Sequence, residues 1–232
     1  MKKKLSRDWK KWAELIGFLL LAPSLILNFF LWQRTGQGLK NDEGILVIAV
    51  LDGDTLVLDG KTRLRLRQVD APELEYCAGP ESKDFLEKLV KDKKIIIQEK
   101  ILDQRGRAMS LVYIGDTLVN KEILENGWGR YHSDQTTQRE ALKEAAAIAR
   151  ENKRGIFSPQ CYQMENLENP QCIIKGNIDK NTKVKKYYYP GCAQYKFAIV
   201  EKDIGEQWFC SEKEARQAGY EKAETCHEKF NH

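Results

Sequence analysis

Apolar residues recur through the middle of the chain in short blocks set off by Gly, Asp and Asn, the rhythm of strands joined by tight turns. Blocks at 45–51, 54–59, 62–70, 94–100 and 107–114 have strand length and predict five strands. Three helical segments are interleaved with them. Pro80 opens the first, where Phe85, Leu86, Leu89 and Val90 stand at helical spacing. Asn120 is expected to cap a short second helix that ends at Gly127. Thr137 and Glu140 form a capping box for the third, whose narrow apolar stripe of Leu142, Ala145, Ala146 and Ala149 is closed by Gly155. Outside this region the pattern changes. Residues 15–32 are an 18-residue apolar run behind a block of lysines, and residues 159–232 hold five of the six cysteines.

The strand blocks bring chemistry with them. Asp52-Gly53-Asp54-Thr55 falls between the first two and Asp70-Ala71-Pro72-Glu73 follows the third, so pairing those strands gathers the acids. Oxygen ligands converging on one point suit Ca²⁺ or Mg²⁺. Arg63, Arg65 and Arg67 alternate along the third block and share one face of a strand. Asp103-Gln104-Arg105-Gly106-Arg107 opens the fifth block and offers another guanidinium to the same cluster. A metal, a free carboxylate and two guanidinium groups are what phosphodiester hydrolysis requires.

Charge limits how a polyanion would be held. The net charge is +4, but residues 46–158 carry nineteen Lys and Arg against nineteen Asp and Glu, and residues 159–232 eleven against eleven. All the excess lies in the first 45 residues, with eight basic against four acidic side chains. Attraction for nucleic acid must then come from a local face rather than from a global positive field, and affinity is expected to be modest.

From about Ile45 to about Phe157 the chain resembles the staphylococcal-nuclease-like thermonucleases. The resemblance rests on Asp52-Gly53-Asp54-Thr55, Arg65 placed five residues before Asp70, Asp70-Ala71-Pro72-Glu73, Asp103-x-x-Gly106-Arg107, and Val119-Asn120 ahead of Gly127. It implies an α+β fold, a five-stranded OB-fold barrel with three helices, the strand number of a small OB-type barrel. It also implies Ca²⁺-dependent cleavage of DNA or RNA by a nuclease domain acting as a monomer. Asp54, Asp70 and the carbonyl of Ala71 would be the metal ligands, with Asp52 behind them. Glu73 would be the general base, and Arg65 and Arg107 would stabilise the transition state. Ala71 stands where the family often has threonine; a main-chain ligand tolerates that change. The spacing to Asp70 singles out Arg65 among its neighbours. Tyr131 or Trp128 would stack on a nucleobase, with core packing the stronger reading of Trp128; His132 reads as a surface residue. An inactive OB-fold module that only binds nucleic acid is the alternative, and retention of Arg65, Glu73 and Arg107 together argues against it. A structural anchor whose C-terminal part binds an envelope partner is a third reading.

The flanks complete the organisation. Residues 1–14 form a basic segment and 15–32 a single membrane-spanning helix, near the lower length limit for crossing a bilayer. Trp12 and Trp32 bracket it, and the positive flank places the N-terminus in the cytoplasm and the nuclease domain outside, on the cytoplasmic membrane. A cleaved signal peptide would need small residues after the run, and Phe29-Phe30-Leu31-Trp32-Gln33-Arg34 has none. Residues 33–44 serve as a tether, 45–158 as the nuclease domain, and 159–232 as a small cysteine-containing module resembling the metal-binding fragment of the alkylation-repair protein Ada. Its cysteines lack a Cys-x-x-Cys knuckle, so disulfides are favoured over zinc. The expected pairs are Cys161 with Cys172, two of Cys192, Cys210 and Cys226, and Cys77 with whichever remains.

Overall fold

The computed structural model describes residues 44–226. The strand blocks form β1 (Ile45–Val50), β2 (Thr55–Leu58), β3 (Arg63–Leu66), β4 (Val69–Asp70), β5 (Lys94–Leu102) and β6 (Ala108–Ile114). With β7 (Thr117–Leu118) they make a six-stranded sheet in the order β3-β2-β1-β5-β6-β7, and β3 returns to pair in parallel with β6. Three helices accompany them: α1 (Gly79–Val90), α2 (Val119–Glu125) and α3 (Arg139–Glu151). Inward-facing Val47, Leu56, Leu64, Leu66, Ile95, Leu111 and Val112 meet Leu86, Ile123, Leu124 and Leu142 from the helices in one core. This is the expected α+β class, with the sheet curled on itself as in OB-type folds.

Three boundaries differ from the pattern, each because a long-range partner outweighs a local preference. The 62–70 block breaks at Gln68, whose φ is +64°, and its last two residues leave the main sheet as β4 to pair with β8 (Arg130–Tyr131). Asn120 lies inside α2 rather than at its cap. Its buried amide instead donates to the carbonyls of Arg67 and Ser110 and accepts from Val112 N, holding α2 against β6. Likewise no side chain caps α3; Thr137 donates both its amide and its hydroxyl to Glu99 of β5. Pro80 does open α1.

Residues beyond α3 build a second sheet and core. After a 3-10 turn (Gly155–Phe157) and β9 (Tyr162–Gln163) come β10 (Ile174–Ile178), β11 (Lys185–Tyr188), β12 (Val200–Glu201), a 3-10 turn (Lys202–Ile204), β13 (Gln207–Phe209), α4 (Glu212–Gln217) and β14 (Glu221–Lys222). The sheet order is β13-β10-β11-β14, over a core of Ile174, Tyr187, Tyr189, Phe209, Ala215 and Tyr220. All six cysteines are paired, as Cys77–Cys161, Cys172–Cys210 and Cys192–Cys226. The expected Cys161–Cys172 bridge is therefore corrected: Cys161 is spent on the loop after β4, and Cys172 reaches the end of β13.

The membrane localisation is corrected as well. Among the described residues no helix is long and apolar enough to cross a membrane. The longest, α3, has 13 residues and presents one buried stripe, Leu142, Ala145 and Ala149; at 1.5 Å per residue it measures about 20 Å, short of a hydrocarbon layer of about 30 Å. The single-pass anchor was placed on residues 15–32, which lie outside the described residues, as do segment 1–14 and the tether up to Glu43.

Candidate active site

The loop from β1 into β2 is turned by its own acid: Asp54 N donates to Asp52 Oδ1 at 3.0 Å. Gly53 at its apex packs against α1, where a Cβ would overlap Ser82 Oγ and stand 2.6 Å from Ala71 Cβ. Ser82, fully buried, is fixed in turn by donating to the Trp128 carbonyl at 2.6 Å. The result drives Asp54 inward until its side chain is 2% exposed. There Oδ1 accepts from Thr55 Oγ1 and Oδ2 from Ala71 N, both at 2.9 Å.

Arg65 comes from β3, opposite Thr55 on β2 and Met109 on β6. Its Nη2 lies 2.7 Å from Asp54 Oδ2 and 2.8 Å from Asp70 Oδ1, so one nitrogen bridges both carboxylates. The break at Gln68 makes this possible, because it turns Asp70 off the line of β3. Burial pushes the Asp54 carboxyl up, the Arg65 guanidinium pulls it back in part, and the charge of Asp52 pushes it up again, leaving it raised to about 7. Burial likewise works against the Arg65 charge, but Asp54, Asp70 and Asp52 together hold its pKa above the ordinary value.

A cleft of about 570 Å³ opens beside this pair, lined among others by Arg65, Asp70, Arg107, Met109, His132 and Asp134. Arg107 enters from the start of β6, half exposed, with Nε donating to Asp103 Oδ2 at 2.6 Å. The amides of Arg105 and Arg107 also donate to Asp103 Oδ1, closing the turn that aims Arg107. The Arg107 amide first, with its guanidinium and the Arg105 amide, holds Asp103 below the usual carboxylate range.

The other expected residues fall elsewhere. Glu73 sits three positions past Asp70 on an exposed turn, outside the cleft lining. Tyr131, expected to stack on a nucleobase, does not line this cleft; its hydroxyl accepts from Gln68 Nε2 at 3.3 Å, its ring packs on the core, and it borders a separate cleft with Arg150 and Phe157. Cross-strand pairing with Val69 aims it there. Trp128 packs in the core against Phe85 with ring centroids 6.1 Å apart, as expected. Ala71 supplies its amide to Asp54.

Two residues emerge with roles that the strand pattern did not separate. Arg67 does not share the face of Arg65: β3 ends at Leu66, and Arg67 is buried, bonded to Asp134 and to the carbonyls of Glu99 and Gln135. It fixes the wall of the cleft rather than facing into it. His132 is a surface residue as expected, its side chain 70% exposed, and it also lines the cleft, with Nδ1 3.9 Å from Asp70 Oδ2. The alternation of arginines alone does not tell Arg65 from Arg67, but the spacing to Asp70 does, and Arg65 is the one bonded to it; only the pairing of β4 with β8 brings His132 to Asp70.

Among the described residues no three His, Cys, Asp or Glu side chains gather in a metal-holding group. The site offers two carboxylates, Asp54 and Asp70, that converge on one Arg65 nitrogen. That donor set is all oxygen, with Asp52 a third carboxylate beside the one guanidinium of Arg65; it fits a hard divalent cation.

Comparison with known proteins places the sequence among nucleases. The sequence model described as "Staphylococcal nuclease homologue" matches residues 63–159. An uncharacterized endonuclease of Escherichia coli O157:H7 is 31% identical over 115 residues, covering 48% of this chain and 75% of that protein. The thermonuclease of Staphylococcus hyicus is 28% identical over 142 residues, covering 55% of this chain and 83% of the relative. A probable staphylococcal-like nuclease of Oryza sativa subsp. japonica, CAN2, is 31% identical over 118 residues, 51% of this chain; the match spans only 31% of that longer protein. Since the matched stretch carries Arg65, Asp70, Glu73 and Arg107, and the bacterial endonuclease aligns along three quarters of its length, the chain belongs to the family of staphylococcal nuclease homologues.

Proposed function

We propose that this chain is a nuclease that hydrolyses phosphodiester bonds of DNA or RNA with Ca²⁺ as its metal. The observation that carries the reading is the bridge of Arg65 Nη2 to Asp54 and Asp70, at 2.7 and 2.8 Å, in one cleft with Arg107. Asp54, Asp70 and the Ala71 carbonyl are the residues that would hold the cation. When bound, Ca²⁺ would polarise the phosphoryl group and offset its charge. Arg65 and Arg107 are planar donors suited to paired phosphate oxygens, and their contacts strengthen as charge grows on those oxygens. Lysine in either place would lose the paired geometry. Glu73 acts as general base, accepting the proton of the attacking water. The relatives named as thermonuclease and endonuclease support nuclease activity in general; the metal and the residue roles rest on the site's chemistry.

The test is digestion of DNA and of RNA by the full chain in Ca²⁺, in excess chelator, and with Ca²⁺ restored. Cleavage that is lost with chelator and regained with Ca²⁺ supports the reading. Binding of both nucleic acids without cleavage in Ca²⁺ would overturn it in favour of a binding module.

A further inference from the structure

Four consecutive residues of the C-terminal region, Lys202 to Gly205, reach the supports of the site from two directions. On one side Asp203, 1% exposed, accepts from Nε and Nη2 of Arg130 at 2.7 Å each. Arg130 is the residue paired with Asp70 across β4 and β8. Gly129 before it is packed so tightly that a Cβ would stand 2.8 Å from Val69 Cγ1. The strand that carries Asp70 is thus held by a strand whose own anchor is Asp203.

On the other side lies the turn after Glu73. Tyr76 N donates to the Glu73 carbonyl at 3.0 Å, and a Cβ at Gly79 would overlap that same carbonyl. Cys77 N donates to the Lys202 carbonyl at 3.4 Å, and its sulfur is bonded to Cys161, whose carbonyl accepts from Lys202 N at 2.8 Å. The Tyr76 ring lies against Gly205, where a Cβ would stand 2.7 Å from Tyr76 Cζ and φ is +85°. Both the space and the backbone there demand glycine.

We propose that the Lys202–Gly205 turn is a positioning element for phosphodiester hydrolysis, fixing the segment from Asp70 to Cys77 at both ends through Asp203 on Arg130 and Gly205 on Tyr76. The proposal rests on the reading of Asp70 and Glu73 as site residues. Among the described residues no hydrogen bond or ion pair holds the exposed Glu73 carboxylate, so its placement is set by the backbone beneath it. A reacting group displaced by about 1 Å can lose about a hundredfold in rate, which is the reason a turn bearing a general base gains from being tied at both ends.

The experiment uses full-length Asp203→Asn and Gly205→Ala, each alone and combined with Glu73→Gln. Turnover and KM are measured on a single-stranded DNA oligonucleotide in Ca²⁺, and amide hydrogen exchange is followed over residues 70–79. Each single variant is expected to lose about tenfold or more in kcat with KM within about twofold, while the Tyr76, Cys77 and Gly79 amides exchange about tenfold faster and those of β1 to β6 do not change. In the Glu73→Gln background Gly205→Ala, which acts through the turn beneath Glu73, should not lower the residual rate further, whereas Asp203→Asn, which also reaches Asp70 through Arg130, should keep part of its loss. Wild-type kcat and exchange in a folded variant would overturn the proposal, and so would an equal loss for Gly205→Ala in the Glu73→Gln background. An inactive Glu73→Gln beside fully active Asp203→Asn and Gly205→Ala refutes the clamp alone. Full activity of Glu73→Gln refutes the assignment of Glu73 and this proposal with it.

Discussion

Removing the Cys77–Cys161 bridge is expected to cost more stability than removing either other disulfide. The two cysteines are 84 residues apart, and none of the other four lies between them, so the loop they close is independent of the remaining bridges. In the chain-entropy treatment a loop of that size restricts the unfolded chain by about 15 cal/mol/K, or about 4.6 kcal/mol at 25 °C. For a folded unit of this size each kcal/mol moves the melting point by about 2–4 °C, so Cys77→Ala/Cys161→Ala should melt about 9–18 °C lower. The other bridges span 38 and 34 residues and interlock, Cys192 falling within the Cys172–Cys210 loop. Opened alone, either leaves the other still restraining the same chain, and the loss should stay below about 4 kcal/mol. Urea unfolding followed by circular dichroism gives the free energies, and calorimetry the melting points. A loss under about 1 kcal/mol for the Cys77–Cys161 pair, or a larger loss for either other pair, would refute the entropic argument. Peptide mapping without reduction must first recover the Cys77–Cys161 link; recovery of Cys161 joined to Cys172 would refute the pairing itself.

Glu73→Gln and Arg107→Ala should each lower turnover by about 10²–10⁴-fold with native circular dichroism, because a general base or a phosphate donor is lost without a buried contact; full turnover in either would remove that residue from the mechanism. Gly53→Ala places a methyl group into Ser82 and Ala71, and overpacking of this kind should destabilise by about 1–3 kcal/mol; an unchanged urea midpoint would show that α1 yields freely. Burial holds the Glu206 carboxyl above its ordinary 4.5, outweighing the Ile178 and Glu201 amides and Asn177 that favour its charge. The folded chain then binds this proton more tightly than the unfolded one, so its contribution to stability falls as pH rises from the unfolded value through the higher folded value. Glu206→Gln should flatten that decline in urea midpoints taken between about pH 4 and 7, and an unchanged slope would refute the assignment.

Most of the site's local chemistry was legible in the chain. Arg65 and Asp70 stand five residues apart, and the bond between them, 2.8 Å, is made within one strand and the turn that follows it. Asp52, Gly53 and Asp54 make their turn from their own atoms, so the motif and its geometry are nearly the same statement. Caps were less legible because Asn120 and Thr137 have two ways to be satisfied. In isolation each would bond the nearest helix amides; in the fold, Asn120 finds three backbone groups of β6 and of Arg67, and Thr137 finds Glu99. A buried residue takes the arrangement that leaves the fewest polar groups unpaired, and that count includes strands far along the chain.

What the sequence by itself determined is therefore the five main strands and three helices of residues 45–158, the family, and the residues with the right chemistry in the right order. These depend on periods of two and 3.6 and on motifs a few residues long. Tertiary structure alone decided which cysteines meet, that Arg67 braces a wall, that Asp54 shares the Arg65 nitrogen bonded to Asp70, that Tyr131 packs on the core while the exposed His132 lines the cleft, and that Arg130 is held by Asp203. Those pairings join positions as many as 84 residues apart. The entropy of closing a loop grows only with the logarithm of its length, so many partners are nearly equal in cost along the chain, and packing chooses among them.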